Sequence, residues 1–217
     1  MIQAVVFDMD GLMIDSEPLH KEAWQTTLRR FGHEIDEALF ARLAGLRISE
    51  DAVLLREHFR LPTAAETLAR QRNALFLASL PGRVQAMPGL RELMTEIGRR
   101  GLRRALATSG ERRYVETVMR ELNLDGVFDA TVVAEDVTRG KPWPDVYLLA
   151  AQRLGLPPAR CMVLEDAPNG VAAAKSAGMQ CVAVPNDMTR SLDLSGADAI
   201  LASLSAVRES LDTLMLL

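Results

Sequence analysis

The pattern of apolar positions changes character near residue 15. Residues 4–7 form a short, continuous apolar run, which is typical of a strand buried on both faces. From Leu19 onward the apolar residues recur at helical spacing, and Ser16 is placed to act as the N-cap of the first helix. Helices are predicted over 17–31, 36–44, 49–59 and 63–79. Because no strand pattern occurs between residues 15 and 80, this block is predicted to be an all-helical insertion.

From residue 88 the chain alternates between helical and strand patterns. Helices are predicted over 90–100, 111–122, 145–154 and 169–177, with a last helix beginning near 204. Strands are predicted over 103–108, 131–134, 161–164, 181–184 and 199–201. Strands that alternate with helices form a parallel, doubly wound sheet. The sequence therefore predicts an α/β core domain of residues 1–15 and 82–217, with a helical cap domain of residues 16–81 inserted into it.

Composition places the chain among ordinary folded proteins. Of its 217 residues, 48% are hydrophobic and 25% are charged, and the net charge of −4 argues against a dedicated nucleic-acid binder. The sequence has neither a long uncharged apolar run nor a basic leader, so we expect no membrane span and a cytoplasmic location. Cys161 and Cys181 lie in separate apolar runs and are predicted to be buried thiols rather than a disulfide or a metal pair.

Two pairs of acidic residues follow predicted strands. Asp8 and Asp10 come after the first strand and, being two residues apart, leave it on the same side. Taken alone, this pair is equally well explained by an acidic turn that contains Gly11. Glu165 and Asp166 follow another strand, and parallel strands bring their carboxyl ends to one edge of the sheet. Two acid pairs at one edge predict a site for a hard divalent cation such as Mg²⁺, which prefers oxygen ligands.

Groups that suit a phosphate are predicted at the same edge. Thr108 and Ser109 lie at the end of the second core strand, where a hydroxyl and backbone N–H groups can meet phosphate oxygens. Lys141 lies in the loop 140–145 and supplies a positive charge, and a carboxylate beside the metal can serve as a nucleophile. A hydroxyl or an acid at such places can also cap a helix, and a loop lysine can simply be solvated. The coincidence at four strand ends nevertheless favours one site.

Four motifs occur in order along the chain. They are FDMDG (7–11) with IDSEP (14–18), LATSG (106–110), GKPWPD (140–145) and LEDAPNG (164–170). On these motifs the sequence resembles the haloacid dehalogenase-like hydrolases, specifically the branch that holds β-phosphoglucomutase and small sugar-phosphate phosphatases. The resemblance covers essentially the whole chain, including a helical cap inserted directly after the first motif.

The resemblance implies a role for each matching residue. Asp8 would be the nucleophile that forms an aspartyl-phosphate, and Asp10 would be the general acid that protonates the leaving oxygen and then the base that activates water. Thr108 and Ser109 would bind the phosphoryl oxygens, and Lys141 would neutralise them. The implied Mg²⁺ ligands are Asp8, the Asp10 carbonyl, Glu165 and Asp166. Because dehalogenases of this family lack an acid two residues after the nucleophile, the resemblance implies phosphoryl transfer rather than dehalogenation.

The implied cap would set the specificity for the substrate. His20, and Arg47 within the stretch 44–49, match segments that face the substrate in this branch. Each residue also has a simpler interpretation, since His20 can pack locally beside Trp24 and Arg47 can be a solvated surface arginine. In the β-phosphoglucomutase pattern an arginine lies where this chain has Ile48. The resemblance therefore favours a phosphatase acting on a sugar phosphate over a β-phosphoglucomutase-type phosphomutase.

A phospho-aspartate switch is the main non-enzymatic alternative. Receiver domains also combine clustered acids, a Thr or Ser and a Lys on a doubly wound sheet. They need no lid, whereas this chain inserts about 65 residues of helical pattern after its first strand. A family member that has lost catalysis is disfavoured because no motif residue is missing. The expected partner is a small phosphorylated metabolite, without nucleic acid or membrane, and the chain is expected to be a monomer.

Overall fold

The structure is a computed structural model that describes residues 1–43 and 46–216. The chain forms two compact units, one made of residues 1–15 and 85–217 and the other of residues 16–84. The first unit has an α/β architecture, and the second is helical. The stretch 44–49, in which the sequence predicts substrate contacts, begins with two residues that lie outside the described part of the chain.

Within the described residues of the helical unit, 16–43 and 46–84, there are four helices close to the predicted positions. They are α1 (Glu17–Arg29), α2 (Glu37–Ala41), α3 (Ile48–Phe59) and α4 (Ala65–Ser79). Ser16 occupies the N-cap position of α1, as predicted, although its side chain makes no capping hydrogen bond. Helices α1 and α3 both pack against α4, around buried side chains such as Trp24 and Leu68.

The α/β unit is organised on a six-stranded parallel sheet. Its strands are β1 (Ala4–Phe7), β2 (Arg103–Ala107), β3 (Ala130–Val132), β4 (Cys161–Glu165), β5 (Gln180–Ala183) and β6 (Ala199–Ile200). The strands lie in the order β3-β2-β1-β4-β5-β6, so that β1 is central. All four residues of β1 are fully buried, which explains why its sequence is continuously apolar rather than alternating. The predicted doubly wound α/β fold is confirmed.

Helices flank the sheet and complete the α/β unit. They are α5 (Leu90–Arg99), α6 (Arg112–Glu121), α7 (Asp145–Leu154), α8 (Pro168–Ser176), α9 (Leu204–Glu209) and α10 (Leu211–Leu214). Helices α7 and α8 contribute Tyr147 and Ala173 to a hydrophobic cluster that contains alternate residues of the central strands. Cys161 and Cys181 are free, buried thiols, as predicted. In the part of the chain that the structure describes, no helix has the length and apolar character needed to span a membrane.

Candidate active site

The parallel register brings the predicted motifs to one edge of the sheet. Phe7 pairs with Leu106 on one side and with Leu164 on the other. Phe7 is the last residue of β1, and Leu106 and Leu164 each precede the last residue of their strand, so the loops that follow begin side by side. The loop after β1 starts with Asp8, and β4 ends at Glu165. The carboxyl edge of the sheet therefore collects polar residues that are far apart in the sequence.

Lys141 joins the two acidic motifs. Its ammonium group donates to Oδ1 of Asp8 and to Oε1 of Glu165, both at 2.5 Å. The side chains of Lys141 and Asp8 are each 9% exposed, and that of Glu165 is 1% exposed. Charge-assisted hydrogen bonds of this kind are strong and directional in a buried setting. The position of the Asp8 carboxylate is therefore fixed by a residue from a different loop.

Glu165 is the most heavily bonded acid of the cluster. Besides Lys141, the hydroxyl of Tyr147 donates to Oε1 at 2.8 Å. The backbone N–H groups of Asp166 and Ala167 donate to Oε2 at 2.9 and 3.0 Å. Each oxygen of Glu165 thus accepts two hydrogen bonds. This predicted metal ligand therefore also fixes the position of the Lys141 ammonium group.

Gly170 leaves the space that the Glu165 carboxylate occupies. An ideal Cβ atom at Gly170 would lie 1.6 Å from Oε1 and 1.8 Å from the carboxyl carbon of Glu165. Such distances are impossible between non-bonded atoms, so a side chain at this position would expel the carboxylate. The glycine of the LEDAPNG motif is therefore explained by close approach at the start of α8.

Asp166 is oriented by a residue of the loop after β5. Nδ2 of Asn186 donates to Oδ2 of Asp166 at 2.8 Å and to the carbonyl of Gly11 at 3.1 Å. Oδ1 of Asn186 in turn accepts the backbone N–H groups of Met188 and Thr189. Gly11 has a φ of 77°, and a Cβ there would lie 2.4 Å from Oδ2 of Asp166. The turn after β1 and the Asp166 carboxylate therefore approach each other closely only because Gly11 lacks a side chain.

The cluster holds more negative than positive charge. Burial, followed by repulsion from Glu165 and Asp8, raises the pKa of Asp166 well above its ordinary value. Burial also raises the pKa of Asp8 to about 7, against the opposing effect of Lys141. Burial alone would lower the pKa of Lys141, but attraction to Asp8 and Glu165 outweighs it and the pKa is raised. Three carboxylates beside one lysine leave a charge that a divalent cation would balance.

The same three acids meet the geometric requirement for a cation. Asp8, Glu165 and Asp166 each offer a carboxylate oxygen, and these oxygens lie within 4.8 Å of one another. An all-oxygen donor set suits Mg²⁺ or another hard divalent ion. Both the donor chemistry and the excess of buried negative charge therefore fit the predicted Mg²⁺.

Comparison with known proteins agrees with this geometry. Residues 2–178 match the model of the haloacid dehalogenase-like hydrolases. The chain is 37% identical over 206 residues to a probable pseudouridine-5'-phosphatase of Drosophila melanogaster, covering 92% of this chain and 89% of the relative. It is 36% identical to the fructose-1-phosphate phosphatase YqaB of Escherichia coli, covering 83% and 95%. The crystal structure of CbbY from Rhodobacter sphaeroides in complex with phosphate superposes with a TM-score of 0.85, at 30% identity and with coverage of 95% and 96%.

The chain belongs to the haloacid dehalogenase-like hydrolases. Its named relatives are phosphatases, and the chain is accordingly a phosphoric monoester hydrolase. The resemblance inferred from the four motifs is confirmed.

The structure resolves several alternatives that the sequence left open in this hydrolase. The N-cap residues of α6 and α8 are Glu111 and Ala167, so the interpretation of Thr108, Ser109 or Asp166 as helix caps is wrong. Thr108 is buried, and its Oγ1 accepts the N–H of Gly110 at 2.9 Å. Ser109 is exposed, and Asp10 is half-buried. The roles of these residues stay predictions.

The predicted substrate residues His20 and Arg47 belong to the helical unit. The ring of His20 stacks on Phe76 at a centroid distance of 4.2 Å, and its Nδ1 accepts a hydrogen bond from the guanidinium of Arg72. Arg47 is exposed at the start of α3, where its backbone N–H donates to Oε2 of Glu50 at 2.8 Å. The predicted contact of His20 and Arg47 with the substrate stays a prediction.

Sequence reasoning missed residues that support the acids of this hydrolase. Tyr147 lies in an apolar helical pattern and is buried, so the pattern by itself indicates only a core aromatic. Its hydroxyl is the signal, because a buried phenol usually requires a hydrogen-bond partner. Asn186 follows the fifth strand at the same sheet edge as the acids, and that position could have identified it.

Proposed function

We propose that this chain is a Mg²⁺-dependent phosphatase that hydrolyses a small phosphorylated sugar through an aspartyl-phosphate on Asp8. The observation that carries the proposal is the buried cluster in which Lys141 bridges Asp8 and Glu165, with Asp166 beside them. Phosphoryl transfer depends mainly on positioning and charge neutralisation, and this cluster supplies both. The names of the relatives, phosphatases of pseudouridine 5'-phosphate and fructose 1-phosphate, support a small phosphorylated metabolite as the substrate.

In the first half of the proposed reaction, an oxygen of Asp8 attacks phosphorus. The bond between phosphorus and the oxygen of the sugar breaks, and Asp10 donates its proton to that oxygen, so that the sugar leaves as a neutral alcohol. Lys141 is held at Asp8 and offsets the negative charge of the phosphoryl group. The Thr108 hydroxyl and the Ser109 backbone N–H would hold phosphoryl oxygens.

In the second half, water hydrolyses the aspartyl-phosphate. Asp10, now a carboxylate, accepts a proton from the water whose oxygen attacks phosphorus. The bond between phosphorus and the Asp8 oxygen breaks, which releases phosphate and restores the Asp8 carboxylate. Asp10 ends protonated, as it began, so that the two halves balance.

Mg²⁺ would be held mainly by Asp8 and Asp166, with the Asp10 carbonyl and Glu165 as further oxygen donors. When bound, the ion supplies positive charge that neutralises the phosphoryl oxygens. The four hydrogen bonds that Glu165 already accepts make it the least available of these donors for direct ligation.

We assign the selection of the substrate to the helical unit, residues 16–84, on the strength of the family resemblance. His20 and Arg47 are the proposed contacts with the sugar or with a second anionic group. The expected monomeric state stays a prediction.

The test is phosphate release from a panel of sugar and nucleotide monophosphates, measured with Mg²⁺ and with EDTA. The panel includes β-glucose 1-phosphate, with formation of glucose 6-phosphate followed in parallel. Phosphate release from one sugar phosphate that stops in EDTA would support the proposal and identify the substrate class. Isomerised sugar phosphate with little free phosphate would instead make the chain a phosphomutase, and turnover unaffected by EDTA would exclude the metal.

A further inference from the structure

Tyr114, in the helix that follows β2, makes a hydrogen bond to the loop after β1. It lies in the first turn of α6, its side chain is buried, and its hydroxyl donates a hydrogen bond to Oδ1 of Asp10. We propose that Tyr114 is a positioning residue that holds the carboxyl group of Asp10 for both proton transfers of the reaction. The proposal rests on the proposed function, since it takes Asp10 to be the acid and the base.

The ring of Tyr114 is held in place by close packing. An ideal Cβ at Gly110 would lie 3.0 Å from Cδ1 of Tyr114, 3.3 Å from Cε of Met9 and 3.3 Å from Oγ1 of Thr108. The absence of a side chain at Gly110 therefore lets the ring sit against the loop that carries Thr108. Because packing fixes the ring, the hydroxyl is presented to Asp10 from a defined point rather than from a mobile side chain.

Asp10 is less buried than Asp8. Asp8 is buried and is held by the ammonium group of Lys141. Asp10 is only half-buried and lies in the turn that leads into Gly11, beyond the end of β1. A side chain in such a place can occupy several rotamers, and a misplacement of about 1 Å can cost roughly 100-fold in rate.

The hydrogen bond also determines which oxygen of Asp10 carries the proton. A phenol that donates to Oδ1 uses this oxygen as an acceptor, so the acidic proton is directed to Oδ2. After the proton has passed to the leaving oxygen, the same hydrogen bond persists to the carboxylate and is strengthened by its charge. Oδ2 therefore keeps the same orientation in both half-reactions. It donates the proton to the leaving oxygen in the first and accepts a proton from water in the second.

The decisive variant is Tyr114→Phe, which keeps the packed ring and removes only the hydroxyl. The probe is p-nitrophenyl phosphate, because p-nitrophenolate leaves without needing a proton whereas hydrolysis of the aspartyl-phosphate still needs a base. We expect a burst of about one p-nitrophenol per enzyme at the wild-type rate of the first turnover, followed by a steady state about 10- to 100-fold slower. The value of kcat falls while kcat/KM for this probe is unchanged.

Fructose 1-phosphate provides the second readout. Its leaving alkoxide needs the proton of Asp10, so Tyr114→Phe is expected to lower both kcat and kcat/KM with this substrate. Tyr147→Phe is the matched control, because its hydroxyl serves Glu165 and through it Lys141. This control is expected to slow the first turnover of p-nitrophenyl phosphate itself and to leave no burst.

A double variant separates positioning from a structural role. If Tyr114 acts through Asp10, adding Tyr114→Phe to Asp10→Asn changes the rates no further. An additional loss of the same size, unchanged kcat in Tyr114→Phe, or a burst reduced in proportion to kcat would each overturn the inference. Wild-type-like turnover by Asp8→Asn would overturn the proposed function and this inference with it. If Asp8→Asn abolishes turnover, the proposed function stands, and the measurements on the Tyr114 variants then decide this inference by themselves.

Discussion

Each of the two units buries a cluster of ionisable side chains, and the two clusters are held in different ways. In the α/β unit, Glu165 accepts four hydrogen bonds and Lys141 donates to two carboxylates. In the helical unit, Oδ2 of Asp51 accepts one long hydrogen bond from Nε1 of Trp24 at 3.3 Å. The other oxygen of Asp51, Oδ1, is buried and has no hydrogen-bond partner among the described residues.

The second cluster also contains a buried arginine. Arg72 is 1% exposed, and its guanidinium lies 4.5 Å from the ring centroid of Phe76 and 5.5 Å from that of Trp24. It donates a hydrogen bond to His20, and no ion pair with Asp51 is found in the described part of the chain. Burial therefore dominates at Asp51 and raises its pKa to about 7, although the Trp24 hydrogen bond and the charge of Arg72 oppose the rise.

The comparison teaches that burial has different consequences in the two units. A buried polar network whose members are all bonded is rigid, whereas a buried acid with an unbonded oxygen lowers stability. The first cluster is consequently suited to fix reacting groups. Because the pKa values of Asp8 and Asp51 are both raised to about 7, both clusters should make stability depend on pH, but in the second cluster this dependence is separate from the reacting groups.

The largest effect is expected from Asp8→Asn, which removes the proposed nucleophile from the first cluster. Turnover should fall by roughly 10⁴-fold or more. The free energy of unfolding should not fall, because the amide oxygen can still accept from Lys141 and one of three mutually repelling carboxylates is lost. Phosphate release and thermal unfolding measure the two quantities.

The control for this variant is Asp125→Asn, at an exposed aspartate of the same unit. It should leave both turnover and stability as in the wild type. Wild-type turnover by Asp8→Asn would contradict the role of Asp8, and severe unfolding would contradict the claim that the cluster is held by its other bonds.

A smaller effect is expected from Gly170→Ala, which disturbs the first cluster without replacing a charged residue. The new Cβ would overlap Oε1 of Glu165, 1.6 Å away, so that Glu165 and with it Lys141 must move. We expect a loss of about 1–3 kcal/mol in the free energy of unfolding. A displaced Lys141 should also lower turnover by about 10- to 100-fold.

Gly98→Ala is the matched control for this steric effect. Gly98 is also helical, in α5, and the nearest described atom to its added Cβ is Nη1 of Arg104 at 3.7 Å, an ordinary contact. Replacing a helical glycine in open space by alanine should raise stability by about 0.5–1 kcal/mol and leave turnover unchanged. Equal behaviour of the two variants would show that the space at Gly170 does not matter.

These glycines illustrate how far the sequence alone could go. The acids, the lysine and the threonine were predictable, because carboxyl ends of parallel strands meet at one edge and each motif follows a strand. Gly170 was recognisable as part of a motif, but the reason for it depends on where the Glu165 side chain turns after β4. Glu165 is the last residue of β4 and Asp166 lies beyond it, so the alternation of the strand does not extend to the pair and their different surroundings were not encoded in any spacing pattern.

Contacts between distant segments were the part that no local pattern could give. The sequence pattern predicts Tyr114 and Tyr147 only as core aromatics of amphipathic helices. The packing of those helices on the sheet brings the hydroxyl of Tyr114 to Asp10 and that of Tyr147 to Glu165. The helical unit was predictable as helices, but the burial of Asp51 was not, since acids rarely occupy fully buried positions.

The effect expected from Asp51→Asn concerns stability alone and leaves turnover unchanged. The folded pKa of Asp51 is about 7, against an ordinary value of 3.8. Between these pH values the native state binds more protons than the unfolded state, so stability declines as pH rises from about 4 to 7 and stays lower above that. The full difference corresponds to at most about 4 kcal/mol. Asn cannot ionise, so the variant should lack this decline.

Unfolding by urea at pH 5 and pH 8 tests the prediction, with Trp143 replaced by Phe so that Trp24 alone reports through its fluorescence. The stability of Asp51→Asn relative to the parent should rise by about 2–4 kcal/mol between the two pH values. Glu57→Gln removes an exposed carboxylate from the same helix, α3, and should show no such rise. A difference that is the same at both pH values would mean that Asp51 is ionised in the folded protein at pH 5. The residues around Asp51 would then stabilise its buried negative charge as well as the cluster around Glu165 stabilises the charges that it contains.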